Sequence, residues 1–256
     1  MILKFKGKNL FYSSKGSGNP IVLLHGFLES STIWNSISEE ISKKRQVICM
    51  DLPGHGKSAT VAEVHTMELL AEAVHAVLTH LEVEKAVLVG HSMGGYVSLA
   101  FCEKFPIMTA GLVLINSTPK ADNQEKKENR DRAIALVKKN KETYVSLAIA
   151  SLLISEDKLK FDKELQQLKK EAVKFSKKGI IANLKGMKIR TDRTSCLKSF
   201  SGPKYVVAGR KDPVLNYTDI QYFSKECNCE LHAYNGGHLA PIEISSSLTK
   251  IVHFIE

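Results

Sequence analysis

The sequence lacks both long hydrophobic runs and a set of pairable cysteines. None of its apolar stretches approaches the roughly 18 residues of a membrane span, and the stretch from Met1 to Lys8 contains no apolar signal-peptide core. The five cysteines are odd in number and mostly scattered along the chain. These absences predict a protein that does not span a membrane and that keeps reduced thiols in the cytoplasm.

Extremes of composition are missing as well. Of the 256 residues, 43% are apolar and 25% are charged, which excludes wholesale disorder and is typical of a globular protein. The length fits one large α/β domain, or one domain with an inserted subdomain. It also allows a large core without disulfides or metals. No feature of the sequence indicates an oligomeric state.

Excess positive charge is absent outside one internal segment. Residues 120–198 contain 21 Lys and Arg against 11 Asp and Glu, whereas the remainder contains 15 against 16. The segment has few aromatic residues and no nucleic-acid-binding module, so we expect no nucleic-acid partner. Solvated helix faces are the simplest interpretation of the lysines. The alternative is that they face the site and attract an anionic substrate carrier.

Short apolar runs alternate with helical patterns along most of the chain. A helix is predicted where apolar residues recur every three or four positions from Met67 to Leu81, with Thr66 as its N-cap. Residues 2–14 favour a leading antiparallel hairpin. The alternation predicts an α/β fold with a mostly parallel sheet covered by helices on both faces. The predicted inner strands are Ile21–Leu24, Val47–Met50, Ala86–Val89, Leu112–Ile115 and Tyr205–Ala208.

The strand rhythm stops after Pro119 and resumes at Lys204. Between them the sequence is helical and rich in Lys and Glu, and its most apolar predicted helix runs from Tyr144 to Ile154. We therefore predict one core made of residues 1–119 and 191–256, interrupted by a helical insertion at 120–190.

The strongest chemical signal is the run Gly90-His-Ser-Met-Gly-Gly95. A bare G-x-S-x-G pattern is weak evidence, because a glycine-rich turn can contain a serine by chance. Here the pattern follows a predicted strand and precedes a helical pattern, which is the context that a nucleophile elbow requires. We predict that Ser92 is a catalytic nucleophile.

Two further residues supply the base and the acid that a nucleophilic serine needs. Asp212 follows the strand that ends at Ala208, and His238 follows the last predicted strand, Cys229–Tyr234. The order Ser, Asp, His is the one this elbow requires, and all three side chains would emerge at one edge of the sheet. Alone, Asp212 would be read as a turn residue and His238 as a surface histidine.

Acyl transfer also needs two N–H donors for an oxyanion. The Met93 N–H, next after the nucleophile, is the first candidate. The second would come from the loop after Leu24, which begins His25-Gly-Phe-Leu28. His25 is expected to shape this loop through hydrogen bonds, without acting as a second base.

Together these residues resemble the α/β-hydrolase fold superfamily, in its Ser-His-Asp, lid-bearing branch. The similarity extends to the segments 51–58, 183–192 and 237–243. The resemblance implies that residues 120–190 form a lid over the site and that no metal or organic cofactor is needed. It also implies that the Phe27 N–H is the second oxyanion donor. Substrate contacts are expected from His91, Leu28 and Met187.

Other chemistries are disfavoured by single residues. The run Gly56-Lys-Ser58 ends like a phosphate-binding loop, but that pattern needs glycine where the chain has Asp51. The pair Cys227 and Cys229 lacks the second ligand pair of a metal site. Family members that open epoxides or remove halides have Asp in place of Ser92. Carbon–carbon bond hydrolases and the menaquinone-pathway synthase are weakened by His91 and Tyr96, respectively, and remain open.

The sequence therefore predicts a serine hydrolase that cleaves a small carboxylic ester by acyl transfer from Ser92 to water. An acyl thioesterase is the alternative within enzymes. A small-molecule receptor that keeps the triad but turns over slowly is the alternative outside them.

Overall fold

All five predicted inner strands lie in one eight-stranded sheet of the computed structural model. The structure describes residues 1–253, with side chains for all but residues 155, 156 and 253; residues 254–256 of the expected core lie outside it. In chain order the strands are β1 (Ile2–Phe5), β2 (Lys8–Lys15), β3 (Ile21–Leu24), β4 (Val47–Met50), β5 (Ala86–His91), β6 (Thr109–Ile115), β7 (Lys204–Gly209) and β8 (Glu230–Tyr234).

The strand order is β1-β2-β4-β3-β5-β6-β7-β8. The hairpin β1–β2 is antiparallel and β2 pairs antiparallel with β4, whereas all pairs from β4 to β8 are parallel. Every residue of β3, β4 and β5 is buried, as expected for parallel strands covered on both faces. The predicted α/β fold with a leading hairpin is confirmed.

Helices cover both faces of the sheet and fill the interval between β6 and β7. Those of the first half are α1 (Asn35–Ile41), α2 (Met67–His80) and α3 (Met93–Lys104). The interval contains α4 (Gln124–Lys139), α5 (Lys141–Ala150), α6 (Ser155–Lys160), α7 (Asp162–Ala172), α8 (Lys177–Lys188) and α9 (Thr194–Ser199). The last three are α10 (Tyr217–Glu226), α11 (Ala240–Glu243) and α12 (Ser245–His253). No helix of residues 1–253 is long and apolar enough to cross a membrane.

Local sequence explains where α2 begins and which face it buries. The Thr66 side chain accepts a hydrogen bond from the Leu69 N–H at 3.1 Å, as predicted for an N-cap. Its apolar positions, including Leu70, Val74 and Val77, are fully or almost fully buried. The periodicity that predicted this helix is therefore its contact face with the core.

The predicted helix from Tyr144 to Ile154 is too long at its end. Helix α5 stops at Ala150, and Ser151 closes it with a backbone N–H bonded to the carbonyls of the preceding turn. The chain then turns so that the Leu152 carbonyl accepts the His238 N–H at 3.0 Å. A contact with a distant loop, invisible to helical periodicity, ends this helix.

A buried ion pair joins the two ends of the interval. Asp122 lies before α4 and Arg190 lies after α8, and their side chains meet at 2.6 Å with exposures of 0% and 2%. Arg130 reaches the same carboxylate at 3.2 Å. Arg190 also donates to the Lys120 and Met187 carbonyls, so most of its N–H groups are satisfied without water.

We expect Asp122→Asn to lower the free energy of unfolding by about 3 kcal/mol, because it leaves the buried Arg190 guanidinium without its countercharge. Urea denaturation at pH 7 measures this loss. Asp219→Asn is the matched control, since Asp219 is 69% exposed and 3.8 Å from Lys120. The control should change stability by less than about 0.5 kcal/mol. Equal effects of the two variants would contradict the stabilising role of the Asp122–Arg190 ion pair.

Candidate active site

Ser92 lies on a strained turn between β5 and α3. Its φ of 48° and ψ of −112° fall in a region that L-residues rarely adopt. The turn is possible because Gly90 and Gly94 have no side chains: a Cβ on Gly94 would collide with the Leu24 carbonyl, and one on Gly90 would collide with Gly94 itself. The elbow predicted from the sequence is the observed local structure.

Three predicted residues meet in one hydrogen-bonded chain. The His238 Nε2 atom lies 2.9 Å from the Ser92 Oγ, and the His238 Nδ1 atom lies 2.7 Å from the Asp212 Oδ2. The imidazole and the carboxylate are almost completely buried, with side-chain exposures of 3% and 0%. The arrangement can accept the serine proton on one ring nitrogen while the carboxylate orients the other.

Backbone and side-chain donors hold the Asp212 carboxylate. Its Oδ1 accepts the Val214 and Leu215 N–H groups at 2.8 and 3.1 Å, and its Oδ2 accepts the Asn116 amide at 3.0 Å. Burial alone would raise the pKa of the Asp212 carboxyl, but the His238 ring and these donors together hold it below its ordinary value. Asp212 is thus an ionised, immobile partner for the histidine.

Glu243, which the sequence did not assign a role, shapes the loop that carries His238. Its two oxygens accept the Gly237 and Leu239 N–H groups at 2.6 and 2.7 Å, one on each side of the histidine. The Tyr234 hydroxyl and the Asn116 amide both donate to the Gly237 carbonyl, at 2.7 and 3.1 Å. The only sequence signal was the run 237–243, in which Glu243 stands close to the histidine.

The loop after β3 is fixed on both sides of Phe27. The Gly26 N–H donates to the Glu29 Oε2 at 2.7 Å, and the Leu28 N–H donates to the His55 Nε2 at 3.2 Å. Met93 is the first residue of α3, where a backbone N–H has no intrahelical acceptor. The two predicted oxyanion donors, Phe27 and Met93, therefore lie at a fixed loop and at a helix start.

The structure corrects the expectation that His91 contacts the substrate. Its side chain has no exposure; its Nδ1 lies 2.9 Å from the Glu29 Oε2 and its Nε2 lies 2.7 Å from the His238 carbonyl. Both ring nitrogens are thus used inside the protein. The other two predicted substrate contacts, Leu28 and Met187, are each 2% exposed and pack in the apolar core.

Glu29 and His91 form a buried ion pair beneath the site. Burial alone would lower the pKa of His91, but the Glu29 charge and the two hydrogen bonds raise it above the ordinary histidine value. Burial acts against the Glu29 carboxylate too, yet the His91 charge and the Gly26 N–H bring its pKa below the usual range. An imidazolium donates from both nitrogens, which matches both contacts of His91.

Three other histidines, His25, His55 and His65, are buried as neutral rings. His25 lies 2.7 Å from the Gly26 carbonyl and accepts the Leu52 N–H at 2.9 Å, so it shapes the loop after β3 as expected. Burial lowers the pKa of His25, takes that of His55 well below its ordinary value and brings that of His65 to about 4. Each ring is therefore held uncharged at neutral pH.

The cysteine pair near β8 does not build a metal site. Cys229 Sγ lies 3.9 Å from the Cys227 carbonyl, and both thiols are free. Among the side chains that the structure describes, no group of three or more His, Cys, Asp or Glu could hold a metal ion.

Comparison with known proteins agrees with this geometry. The sequence model of the family described as alpha/beta hydrolase fold matches residues 19–243. The chain therefore belongs to the α/β-hydrolase fold family.

Solved structures share the whole fold. An esterase from Thermogutta terrifontis, with malate bound, superposes with a TM-score of 0.91 at 29% identity, over 96% of this chain and 92% of that chain. An enol-lactonase from Burkholderia xenovorans superposes with a TM-score of 0.90 over 98% of both chains, and at 19% identity it supports the fold alone.

Curated relatives match over shorter stretches. A Pseudomonas putida protein named as the acetyltransferase component of an acetoin-cleaving system is 44% identical over 100 residues, which are 39% of this chain and 27% of that protein. A 2-hydroxy-6-oxo-2,4-heptadienoate hydrolase from the same species is 36% identical over 106 residues, or 40% of this chain and 38% of that protein. The matched stretches thus cover well under half of these relatives.

We expect stability to fall in acid because of the buried neutral histidines. An unfolded chain takes up protons on His25, His55 and His65 near a pKa of 6.5, whereas folded His65 does so only near about 4. The unfolded state then binds more protons, so each ring costs about 1.4 kcal/mol per pH unit below 6.5, down to its folded pKa.

Urea denaturation at pH 7, 6 and 5 checks this slope. His65→Gln should make the decline between pH 6.5 and 5 shallower, whereas His80→Gln, at an exposed position at the end of α2, should not. A wild-type stability that stays constant from pH 7 to 5 would contradict the neutral state assigned to these rings.

We also expect Glu29→Gln to lower kcat about 10- to 100-fold while KM changes by less than about threefold. The amide keeps the size of the side chain but removes the charge that holds His91 and the Gly26 N–H in place. Steady-state kinetics on an activated ester measures both constants. Glu39→Gln, on the exposed face of α1, is the control and should leave both unchanged. A Glu29→Gln enzyme with full kcat would contradict the positioning role.

Proposed function

We propose that the protein hydrolyses a small carboxylic ester by transferring its acyl group from the Ser92 hydroxyl to water. The observation that carries this proposal is the hydrogen-bonded chain from Asp212 through His238 to Ser92, with distances of 2.7 and 2.9 Å. Membership of the α/β-hydrolase fold family supports it, as does the similarity to an esterase over nearly the whole chain.

Acylation begins when the Ser92 Oγ attacks the carbonyl carbon of the ester. His238 takes the hydroxyl proton on Nε2, while its Nδ1–H stays bonded to the ionised Asp212. The protonated imidazole then gives its proton to the leaving alcohol as the ester bond breaks. Water then attacks the acyl carbon and loses a proton to His238. As the bond to Ser92 breaks, His238 returns a proton to the Ser92 Oγ, the acid leaves and the free enzyme is restored.

The negative charge on the carbonyl oxygen needs two fixed donors during each attack. We assign these to the N–H groups of Phe27 and Met93. The Gly26 and Leu28 contacts hold the loop that carries the first, and the N-terminus of α3 adds a favourable dipole at the second.

Residues 120–190 act as the lid in this proposal. Their five helices follow β6 directly, and the Leu152 carbonyl bonds to the His238 N–H at 3.0 Å, which brings the segment against the catalytic histidine. Such a lid limits water at the site and forms the substrate walls.

A thioesterase is the second candidate, because the same triad and oxyanion donors serve a thioester. The receptor alternative would use the same residues but stall after one acylation. Burst kinetics with an activated ester separate a receptor from an enzyme, since only an enzyme continues at a steady rate after the first equivalent of product.

We expect Ser92→Ala to lower kcat for p-nitrophenyl butyrate by up to about 10⁶-fold. A fluorophosphonate probe should label the wild-type protein, with the adduct on Ser92 by mass spectrometry. Ser98→Ala is the matched control: Ser98 lies on the same helix, is fully buried and only donates to the Gly94 carbonyl. Labelling of another serine, or undiminished turnover by Ser92→Ala, would refute the assignment.

A further inference from the structure

A cavity of about 620 Å³ lies between α4, α5 and the loop that follows Asp212. One wall is Pro213–Leu215, which follows the triad aspartate directly, and another is Tyr96, one turn beyond Ser92 on α3. Helices α4 and α5 form the opposite side. The size is within the range of small-molecule sites, about 300–1,000 Å³.

The cavity has an apolar part and a cationic part. Tyr144, Leu147 and Val214 belong to the apolar part, and the last two are unusually exposed for apolar side chains, at 60% and 41%. Lys126 and Arg130, together with Arg132, supply the cationic part from one helix, α4. Such a surface matches a ligand that has both a hydrocarbon portion and an anionic group.

Positive charge in the cavity exceeds the negative charge available to it. Asp122 is its one lining carboxylate, and it is already shared by Arg130 at 3.2 Å and the buried Arg190 at 2.6 Å. Lys126 forms no ion pair within residues 1–253, and Arg132 donates to the neutral amide of Asn129. An anionic group of a ligand would supply the negative charge that the basic side chains of this lining lack.

The buried arginine strengthens the effect. Arg190 lies with its guanidinium 4.0 Å from the centre of the Tyr96 ring, directly behind the cavity wall, and is 2% exposed. Water screens such a charge much less than it screens an exposed lysine. Many other basic residues of the segment, such as Lys163 and Lys170, stand on exposed helix faces.

We propose that this cavity binds the anionic group of an amphiphilic substrate, a carboxylate or a phosphate, while the ester lies at Ser92. Lys126 and Arg132 are the specificity-determining residues. Arg130 belongs to the same lining but is already paired with Asp122. This site rests on the proposed ester hydrolysis and defines its substrate class. Carboxylates and phosphates both accept hydrogen bonds from guanidinium and ammonium groups.

Paired substrates test the site. Mono-p-nitrophenyl esters of dicarboxylic acids, from succinate to suberate, are compared with the same esters whose free carboxylate is methylated. We expect kcat/KM for at least one chain length to be about tenfold higher for the free acid than for its methyl ester in the wild type. In the double variant Lys126→Glu/Arg132→Glu that preference should be lost or reversed.

A matched control separates a local contact from overall charge. Lys138→Glu/Lys139→Glu makes the same charge change at the far end of α4, outside the cavity lining, and should keep the wild-type preference. Equal kcat/KM for free and methylated esters at every chain length would show that a carboxylate is not the anionic group that the cavity binds. Identical loss in both double variants would show long-range attraction and overturn the site.

A second series of substrates tests whether the anionic group is a phosphate. Esters that carry a terminal phosphate replace those that carry the carboxylate, and the better series identifies the anion. If neither series is preferred over its neutral counterpart, the proposal is wrong. It is also wrong if a preference exists but is unchanged in Lys126→Glu/Arg132→Glu.

Direct binding separates this site from the proposed activity. Glutarate, suberate and inorganic phosphate are titrated by calorimetry into Ser92→Ala, and into the same variant with Lys126→Glu/Arg132→Glu. We expect binding only to the former. If no ester is hydrolysed but an anion binds in this way, the esterase assignment is wrong and the site stands. If neutral esters are hydrolysed without any anion binding or preference, the site is wrong and the esterase assignment stands.

Discussion

The close approach of the α3 N-terminus to the sheet is the constraint on which the rest of the site depends. Gly94 lies against the Leu24 carbonyl, and Gly95 lies so near Ser117 that a side chain at either position would push the helix away. This approach forces Ser92 into its positive-φ turn and raises its hydroxyl at the edge of the sheet. It also brings the Met93 N–H beside the loop that follows β3.

Charge balance under the site follows from that packing. Burying an isolated ion away from water costs on the order of several kcal/mol of free energy, and the buried carboxylates here each accept hydrogen bonds from partners. Glu29 faces His91, and Asp212 faces His238. Burial lowers the pKa values of His25 and His55, although the charges of Asp51 and Glu29 act in the opposite direction on His25. The result is a polar layer whose hydrogen bonds link the loop after β3, the end of β5 and the loop that carries His238.

Sequence predicted the parts of this site that depend on local patterns. Parallel strands leave apolar runs, and the elbow leaves a glycine-rich signature around Ser92, so both could be located before the structure. Glu29 and Glu243 were not assigned roles, because hydrophobic periodicity does not reveal which loop N–H groups a carboxylate accepts, or that Glu29 meets a histidine of another strand. Glu29 is 62 positions from its partner His91. Nothing in the sequence around His91 indicated that its ring is buried and contacts both Glu29, in the loop after β3, and the His238 carbonyl.

The helices between β6 and β7 show the same limit of prediction from local sequence patterns. These helices were predicted from composition, but the end of α5 was placed too late because the Leu152 carbonyl is taken by the His238 N–H. The segment between β6 and β7 is therefore hydrogen-bonded to the backbone of His238. The same histidine gives its own carbonyl to the His91 Nε2 at 2.7 Å. A movement of α5 that opened the cavity would have to break the first bond or carry the His238 loop with it. Since the second bond, Glu243 and Tyr234 hold that loop to the core, breaking the first bond costs less than moving the loop. Opening at this edge would thus leave the contacts among Ser92, His238 and Asp212 in place, and the Leu152 hydrogen bond would be the one that breaks.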